Sequence, residues 1–164
     1  MDILRVAALI LATVTMGVMA GVFQLYAYAI MPGLGRTDDR TFVGAFQAID
    51  TAIINPLFLG NFFGALLFTG LAALLHIGAD EEPVLPWTVA ALILYAPVVV
   101  TTITVNVPLN DAIKAAGDPD SIELAAVRGR FDEARWTRWN LVRAVLTTAA
   151  LACQAWALVL YGRL

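Results

Sequence analysis

The chain has almost none of the side chains from which metal and disulfide chemistry are built: among 164 residues there is one cysteine, Cys153, and one histidine, His76. A single thiol in the middle of an apolar segment closes no intramolecular disulfide and supplies no cysteine cluster, so Cys153 reads as a small core residue. A lone histidine offers no pair to hold haem, and a metal site needs several N, O or S partners, so His76 reads as an interfacial residue at a helix end. There is no glycine-rich phosphate loop and no serine in a nucleophile elbow. Charge is scarce as well. Charged residues make up 14% of the chain, the net charge is -3 and the isoelectric point is about 4.9. No basic face exists to neutralise phosphates, which argues against nucleic acid as a partner.

What the chain has in excess is apolar sequence. A hydrophobic fraction of 60% and a mean hydropathy of +0.80 lie far from the soluble norm of about half apolar and about a quarter charged. Four runs, residues 6–30, 56–78, 84–106 and 139–161, each reach the roughly 20 residues that a helix needs to cross a bilayer. With their connections they use the whole length, so the expectation is one transmembrane domain over residues 1–164. Its fold class is all-α: a four-helix membrane bundle with a short amphipathic helix before span two and a helical extension into span four. The first run resembles a secretory signal in its opening residues but continues through Tyr28, so it reads as a retained span. Membrane lipid is the first expected partner.

Helix punctuation organises the rest. Thr13, Gly17 and Gly21 in span one, and Gly60 and Gly64 in span two, are spaced by four and predict flat stripes for close helix packing. Pro32 and Gly33 are expected to break the first helix. Thr37, Asp38 and Asp39 then offer an N-cap with negative charge for the run TFVGAFQAIDTAIIN. In that run Phe42, Phe46, Ile49 and Ile53 form an apolar side, and Gln47, Asp50 and Thr51 share another face. Asn55 and Pro56 mark a kink or a restart. The link GADEEPVLP reads as an acidic, solvent-exposed turn. Pro97 is expected to kink span three, and the string from Val105 to Asn110 is expected to turn at Val107, which precedes Pro108. Beyond Gly117, Asp118 and Pro119, Ser121 is a candidate cap for a charged helix that runs without a breaker into span four.

Four spans put both termini and the acidic turn on one side and the two longer connections on the other. Of the ten basic residues, Arg5 and Arg163 fall in the first set and eight in the second. The positive-inside rule then predicts a multi-pass cell-membrane protein with connections 31–55 and 107–138 in the cytoplasm and both termini outside.

The remaining polar groups gather at that second side. On a continuous helix Asp132, Trp136, Asn140 and Arg143 share one stripe, with Trp139 alongside. Arg143 and Asn140 lie at or inside the apolar boundary, where an ionisable group is costly unless it pairs or faces a wet cavity. Asp50 or Asp39 is the expected partner of Arg143. Gln47, Asn55, Asn106 and Asn110 project to the same side, more polar capacity than four helix ends require. A structural alternative accounts for the same residues: Trp136 and Trp139 as an interfacial belt, Arg135 and Arg138 snorkelling to headgroups, and Asn106 as a cap.

The strings MPGLGRTDDRTFVGAFQAIDTAIINP, NVPLN and RWTRWNLVR, in this order, resemble the anthrone oxygenase-like family of small four-helix membrane proteins. The resemblance covers almost the whole chain. It implies oxidation of anthrones to anthraquinones by molecular oxygen with no known cofactor, as fungal members carry out. By position it implies Asp38, Asp39, Gln47, Asp50 and Asn55 in the first motif, Asn106, Pro108 and Asn110 in the second, and Trp136, Trp139, Asn140 and Arg143 in the third.

Two readings stand at this point. In the first, an enzyme without a cofactor or metal binds an apolar aromatic or quinone-like small molecule. Asp50 removes an acidic C–H or O–H proton, Arg143, Asn140 and Asn106 stabilise the resulting anion, and Gln47, Asn55, Asn110, Trp136, Trp139 and Asp39 bind the substrate. In the second, the chain is a non-catalytic module that binds a lipid or hydrophobic metabolite, or an accessory subunit of a membrane complex, and the same polar residues knit helices together. Transport is a third class, and it would need a homo-oligomer to enclose a path.

Overall fold

The computed structural model describes residues 2–78 and 83–163, so residues 79–82 of the acidic link lie outside the described residues. Helix α1 comprises Asp2–Leu25, a π-helical turn Tyr26–Ile30 and a last turn Met31–Leu34. Helix α2 is Asp39–Ile53 and α3 is Pro56–Leu75. Helix α4 comprises Leu85–Thr101, a second π-turn Thr102–Asn106 and Val107–Lys114. Helix α5 is Leu124–Phe131 and α6 is Glu133–Tyr161. The runs Ile3–Leu34, Pro56–Leu75, Leu85–Lys114 and Leu124–Tyr161 are long and apolar enough to cross a membrane, and no strand occurs among the described residues. The chain is a multi-pass all-α bundle.

Within it α1 packs against α3 and α6, and α4 packs against α3 and α6, so the spans close a ring with α1 opposite α4. Lipid is as apolar as leucine, so close packing and internal hydrogen bonds have to hold such helices together. The interior is accordingly built from Met16, Met19, Phe62, Ala65, Tyr95 and Ala150, all buried. Side-chain hydrogen bonds also tie helices directly: Tyr95 donates its hydroxyl to Phe62 O at 3.0 Å, Gln154 Nε2 donates to Thr69 Oγ1 at 3.0 Å, and Gln24 Nε2 donates to Thr148 Oγ1 at 2.7 Å. Leu67, Leu74, Ile93 and Val145 point outward. The expected glycine stripes hold in part. A Cβ on Gly64 would lie 3.4 Å from Thr15 Cγ2 of α1, and one on Gly17 3.7 Å from Leu151, but Gly21 and Gly60 meet nothing. His76, expected at an interface, is buried, with Nδ1 2.7 Å from Ala72 O and its ring edge-on to Tyr161.

The sequence reading misplaces several helix ends. The first helix does not break at Pro32 and Gly33 but runs to Leu34, and the chain does not turn at Val107 but stays helical to Lys114. A proline inside an α-helix lacks its amide donor and presses its ring on the carbonyl four residues back. Both prolines sit two residues after a π-turn, where the amides of Met31 and Val107 reach five residues back to Tyr26 O and Thr102 O. The widened turn accommodates the ring. α4 also continues helically through Pro97. Conversely, the helix expected to run unbroken into span four is interrupted at Asp132, whose backbone is left-handed at φ 51, ψ 64. Asp tolerates that conformation, and its carboxylate accepts the Arg135 amide at 3.1 Å to cap α6. Ser121 caps nothing; its hydroxyl donates to Asp118 O within a turn.

The α2 helix begins as expected, with Asp38 accepting the Thr41 amide at 2.9 Å. Its apolar side packs Phe42 and Phe46 against Phe131, Ile113 and Trp136, forming a second core above one end of the bundle. Arg128 pins this layer from α5: Nη1 donates to Thr37 O at 2.9 Å and to Asp39 Oδ1 at 3.0 Å, Nη2 reaches Glu133 Oε2 at 3.2 Å, and the guanidinium lies 4.3 Å over the Phe42 ring. The two longer connections therefore meet and fold together.

Candidate functional site

Where this layer joins the bundle, a cavity of about 60 Å³ opens between α1, α2, the start of α3, α4 and α6. Its walls carry the aromatic rings of Phe23, Tyr26, Phe46, Phe58 and Trp136. Ile54 and Val107 line it as well and are exposed, so the mouth lies on the outer face of the bundle. Both π-turns border the cavity, contributing Tyr26 on one side and Thr102 and Asn106 on the other.

Two polar chains cross it. In the outer one, Asp50 Oδ1 accepts from Asn110 Nδ2 at 2.6 Å, Asp50 Oδ2 lies 2.7 Å from Lys114 Nζ, and Trp136 Nε1 donates to Asn110 Oδ1 at 2.7 Å. In the inner one, Arg143 donates from Nη1 to Thr102 Oγ1 at 3.1 Å and from Nη2 to Asn140 Oδ1 at 3.0 Å. Asn140 Nδ2 donates in turn to Phe23 O at 3.0 Å, and Asn106 Nδ2 donates to Trp136 O at 3.3 Å. The Arg143 guanidinium stacks 4.6 Å over the Phe23 ring and 5.5 Å over Trp136. Arg143 Nε and Asn106 Oδ1 remain buried without a hydrogen-bond partner.

The expected ion pair between Arg143 and Asp50 or Asp39 does not form. Asp50 faces Lys114 on the end of α4, and Asp39 faces Arg128 on α5. Arg143 sits two helical turns beyond Trp136, roughly 10 Å deeper along α6, where no carboxylate of the described residues comes within ion-pair distance. Its charge is met by dipoles and ring faces instead.

Of the residues singled out from sequence, Asp50, Asn106, Asn110, Trp136, Asn140 and Arg143 come together on the cavity wall. Four do not. Gln47 donates to Ile113 O at 2.8 Å and Gly117 O at 3.0 Å, stapling α2 to the end of α4. Asp39 is engaged by Arg128, Trp139 is half-buried away from the wall, and Asn55 caps α3 by accepting the Leu57 and Phe58 amides. The structural alternative fails for Trp136, which is buried and bonded to Asn110 rather than lying in a belt, and for Asn106, which caps no helix. Sequence reasoning missed Thr102 and Lys114, and the wall residues Phe23 and Tyr26. Thr102 and Lys114 were findable: Thr102, Asn106, Asn110 and Lys114 repeat every four residues, a helical face that disappears if the helix is ended at Val107.

Among the described residues no three His, Cys, Asp or Glu side chains gather closely enough to hold a metal ion. The arrangement offers instead a carboxylate at the mouth and a buried guanidinium at the floor of one aromatic cleft. A family model described as anthrone oxygenase matches residues 57–153, more than half of the chain. No curated protein and no solved structure matches it.

Proposed function

The chain belongs to the anthrone oxygenase family, and from that membership we propose that its cavity oxidises a planar aromatic substrate with molecular oxygen, using side chains alone to form and hold a reactive anion. One observation carries the reading. Arg143 is 5% exposed, has no counter-charge among the described residues, and keeps Nε unpartnered beside an aromatic cavity. A buried cation met only by dipoles and ring faces, without a counter-ion, costs several kcal/mol, and an anion formed in the cavity would relieve that cost at the moment of reaction.

In this reading the substrate arrives laterally from the bilayer through the mouth beside Ile54 and Val107. Asp50 takes an acidic C–H or O–H proton and holds it for a later step, with Lys114 beside it at 2.7 Å on the water side. The electron pair moves onto the substrate oxygen, where Arg143 stabilises it. The electron-rich carbon then gives its electron pair to O₂ as it bonds to one end of it, and the resulting peroxide anion takes the proton back from Asp50 to become a hydroperoxide. For a methylene flanked by aromatic rings, loss of water completes the step. One oxygen atom stays as the new carbonyl, and the other leaves with the two hydrogens of the methylene.

The alternative, a non-catalytic module for an apolar metabolite, is favoured by one feature: both oxygens of Asp50 are already engaged by Asn110 and Lys114. Turnover separates the two. Detergent-purified protein in air-saturated buffer should convert an anthrone to its quinone well above the spontaneous rate, with matching oxygen uptake. Asp50→Asn should lose roughly 10²- to 10⁴-fold of that rate while remaining monodisperse. Wild-type protein that leaves the background rate unchanged overturns the catalytic reading.

A further inference from the structure

Two residues that line this one cavity each keep a buried side-chain atom with neither a hydrogen-bond nor an ion-pair partner, and the two atoms are opposite in character: the Nε donor of Arg143 and the Oδ1 acceptor of Asn106. Both side chains are nearly inaccessible, at 5% and 1% exposure. Nor can the Asn106 amide be turned over to remove the mismatch. Its nitrogen donates to the Trp136 carbonyl, which can only accept, so the amide oxygen must be the end left free. Leaving either atom unpaired is costly, and a native structure that keeps both beside a cavity is built for a group that satisfies both.

We propose that these two atoms read a single aromatic hydroxyl: its oxygen accepts from Arg143 Nε while its hydrogen is donated to Asn106 Oδ1. The ligand class is a phenol or the enol form of an aromatic ketone, and Asn106 is the residue that sets this specificity. A carbonyl oxygen satisfies Arg143 alone, so a quinone product, having no hydrogen for Asn106, binds less well and leaves. The enclosed volume is below the ~150 Å³ that houses a whole benzene ring in an apolar cavity. The hydroxyl edge therefore enters first, and the other rings lie in the mouth beside Ile54 and Val107. The inference rests on the cavity being the substrate site, as proposed above, and not on any reaction taking place there.

Binding tests it without turnover. Calorimetric titration of the detergent-solubilised protein with 1-naphthol, 1-methoxynaphthalene and 1-fluoronaphthalene compares one ligand that donates with two that cannot. The fluoro compound adds no bulk. Wild type should bind 1-naphthol about tenfold or more tightly than either. Asn106→Leu and, as a smaller replacement, Asn106→Ala should bring the ratio close to one, mainly by weakening 1-naphthol. Equal wild-type affinities, as a water fixed between Nε and Oδ1 would give, overturn the proposal even if neither variant folds. Weakness of the methoxy compound alone, or a ratio that survives in the variants, also overturns it, as does failure of 1-naphthol to bind. Discrimination without anthrone turnover keeps this inference and removes the oxygenase; turnover without discrimination does the reverse.

Discussion

Replacing Arg143 by methionine should separate what this residue does for the fold from what it does for the site. The change removes two charge-assisted hydrogen bonds, to Thr102 Oγ1 and Asn140 Oδ1, together worth about 3–6 kcal/mol. It also removes stacking on Phe23 and Trp136, at about 0.5–2 kcal/mol. Against this stands the penalty of keeping an unpaired cation out of water, several kcal/mol. Thr102 still donates to Val98 O at 2.7 Å and Asn140 still donates to Phe23 O, while the buried Asn140 Oδ1 loses its donor, a cost contained in the figure for the two lost bonds. Methionine retains the apolar stem and adapts to the space. The opposing contributions nearly cancel, so Arg143→Met should stay within ~2 kcal/mol of wild type, a shift of about 4–8 °C in Tm for a chain of this size. Anthrone turnover should fall by roughly 10²- to 10³-fold, the scale of losing an oxyanion donor. Thermal unfolding in detergent and quinone formation, measured on one preparation, give both numbers. A variant that unfolds far below wild type makes Arg143 a structural strut, and one that keeps full turnover removes it from the chemistry; either result refutes the reasoning.

Arg128→Ala should cost about 2–3 kcal/mol, because it releases charge-assisted bonds to Thr37, Asp39 and Glu133 and uncovers Phe42; limited proteolysis should then cut within 31–55 faster while circular dichroism shows the spans intact, and unchanged proteolysis contradicts the role. The Asp38 carboxyl is held below the usual carboxylate range by the Thr41 amide and then by the Thr41 hydroxyl. A lowered folded pKa means that the cap contributes above the ordinary carboxylate value and is lost as pH falls through the lowered one. Thr41 amide exchange, corrected for its intrinsic rate, should therefore speed up on acidification in wild type and less in Asp38→Asn; equal profiles refute the titrating cap. For orientation, the eight-to-two distribution of basic residues predicts that a reporter fused after Leu164 works only outside the cytoplasm, and cytoplasmic activity reverses the assignment.

How far the sequence could be read follows from the kind of signal each element left. The spans were legible because lipid demands apolar length, and that property survives any error in helix ends. The cap at Asp38 was legible as local chemistry, as was a kink or restart at Asn55 and Pro56, but Asn55 was expected to touch a ligand and instead spends its side chain on the α3 amides. The α6 stripe emerged because Trp136, Asn140 and Arg143 need only helical periodicity to share a face. Its expected ionic partner did not. Which carboxylate meets which cation depends on depth: Lys114 on the end of α4 reaches Asp50, and Arg143 lies two turns further in.

The prolines explain the rest, and they bear on the site itself. Pro32 and Pro108 each read as a stop because an α-helix cannot carry a proline without losing a bond and meeting a carbonyl. The chain continues past both by inserting a π-turn immediately upstream, a solution with no signature in composition or hydrophobic period. Yet these turns are not incidental to the cavity. One supplies Tyr26 and the other Thr102 and Asn106 to its wall, and the helix carried beyond Pro108 brings Asn110 and Lys114 to Asp50. Ending α4 at Val107 therefore removes from view the face that completes the site. The same prolines that obscure the helix ends follow the two π-turns whose residues wall the hollow between facing helices, so in this chain the X-Pro steps near the ends of spans one and three mark a π-turn and its pocket rather than a helix stop.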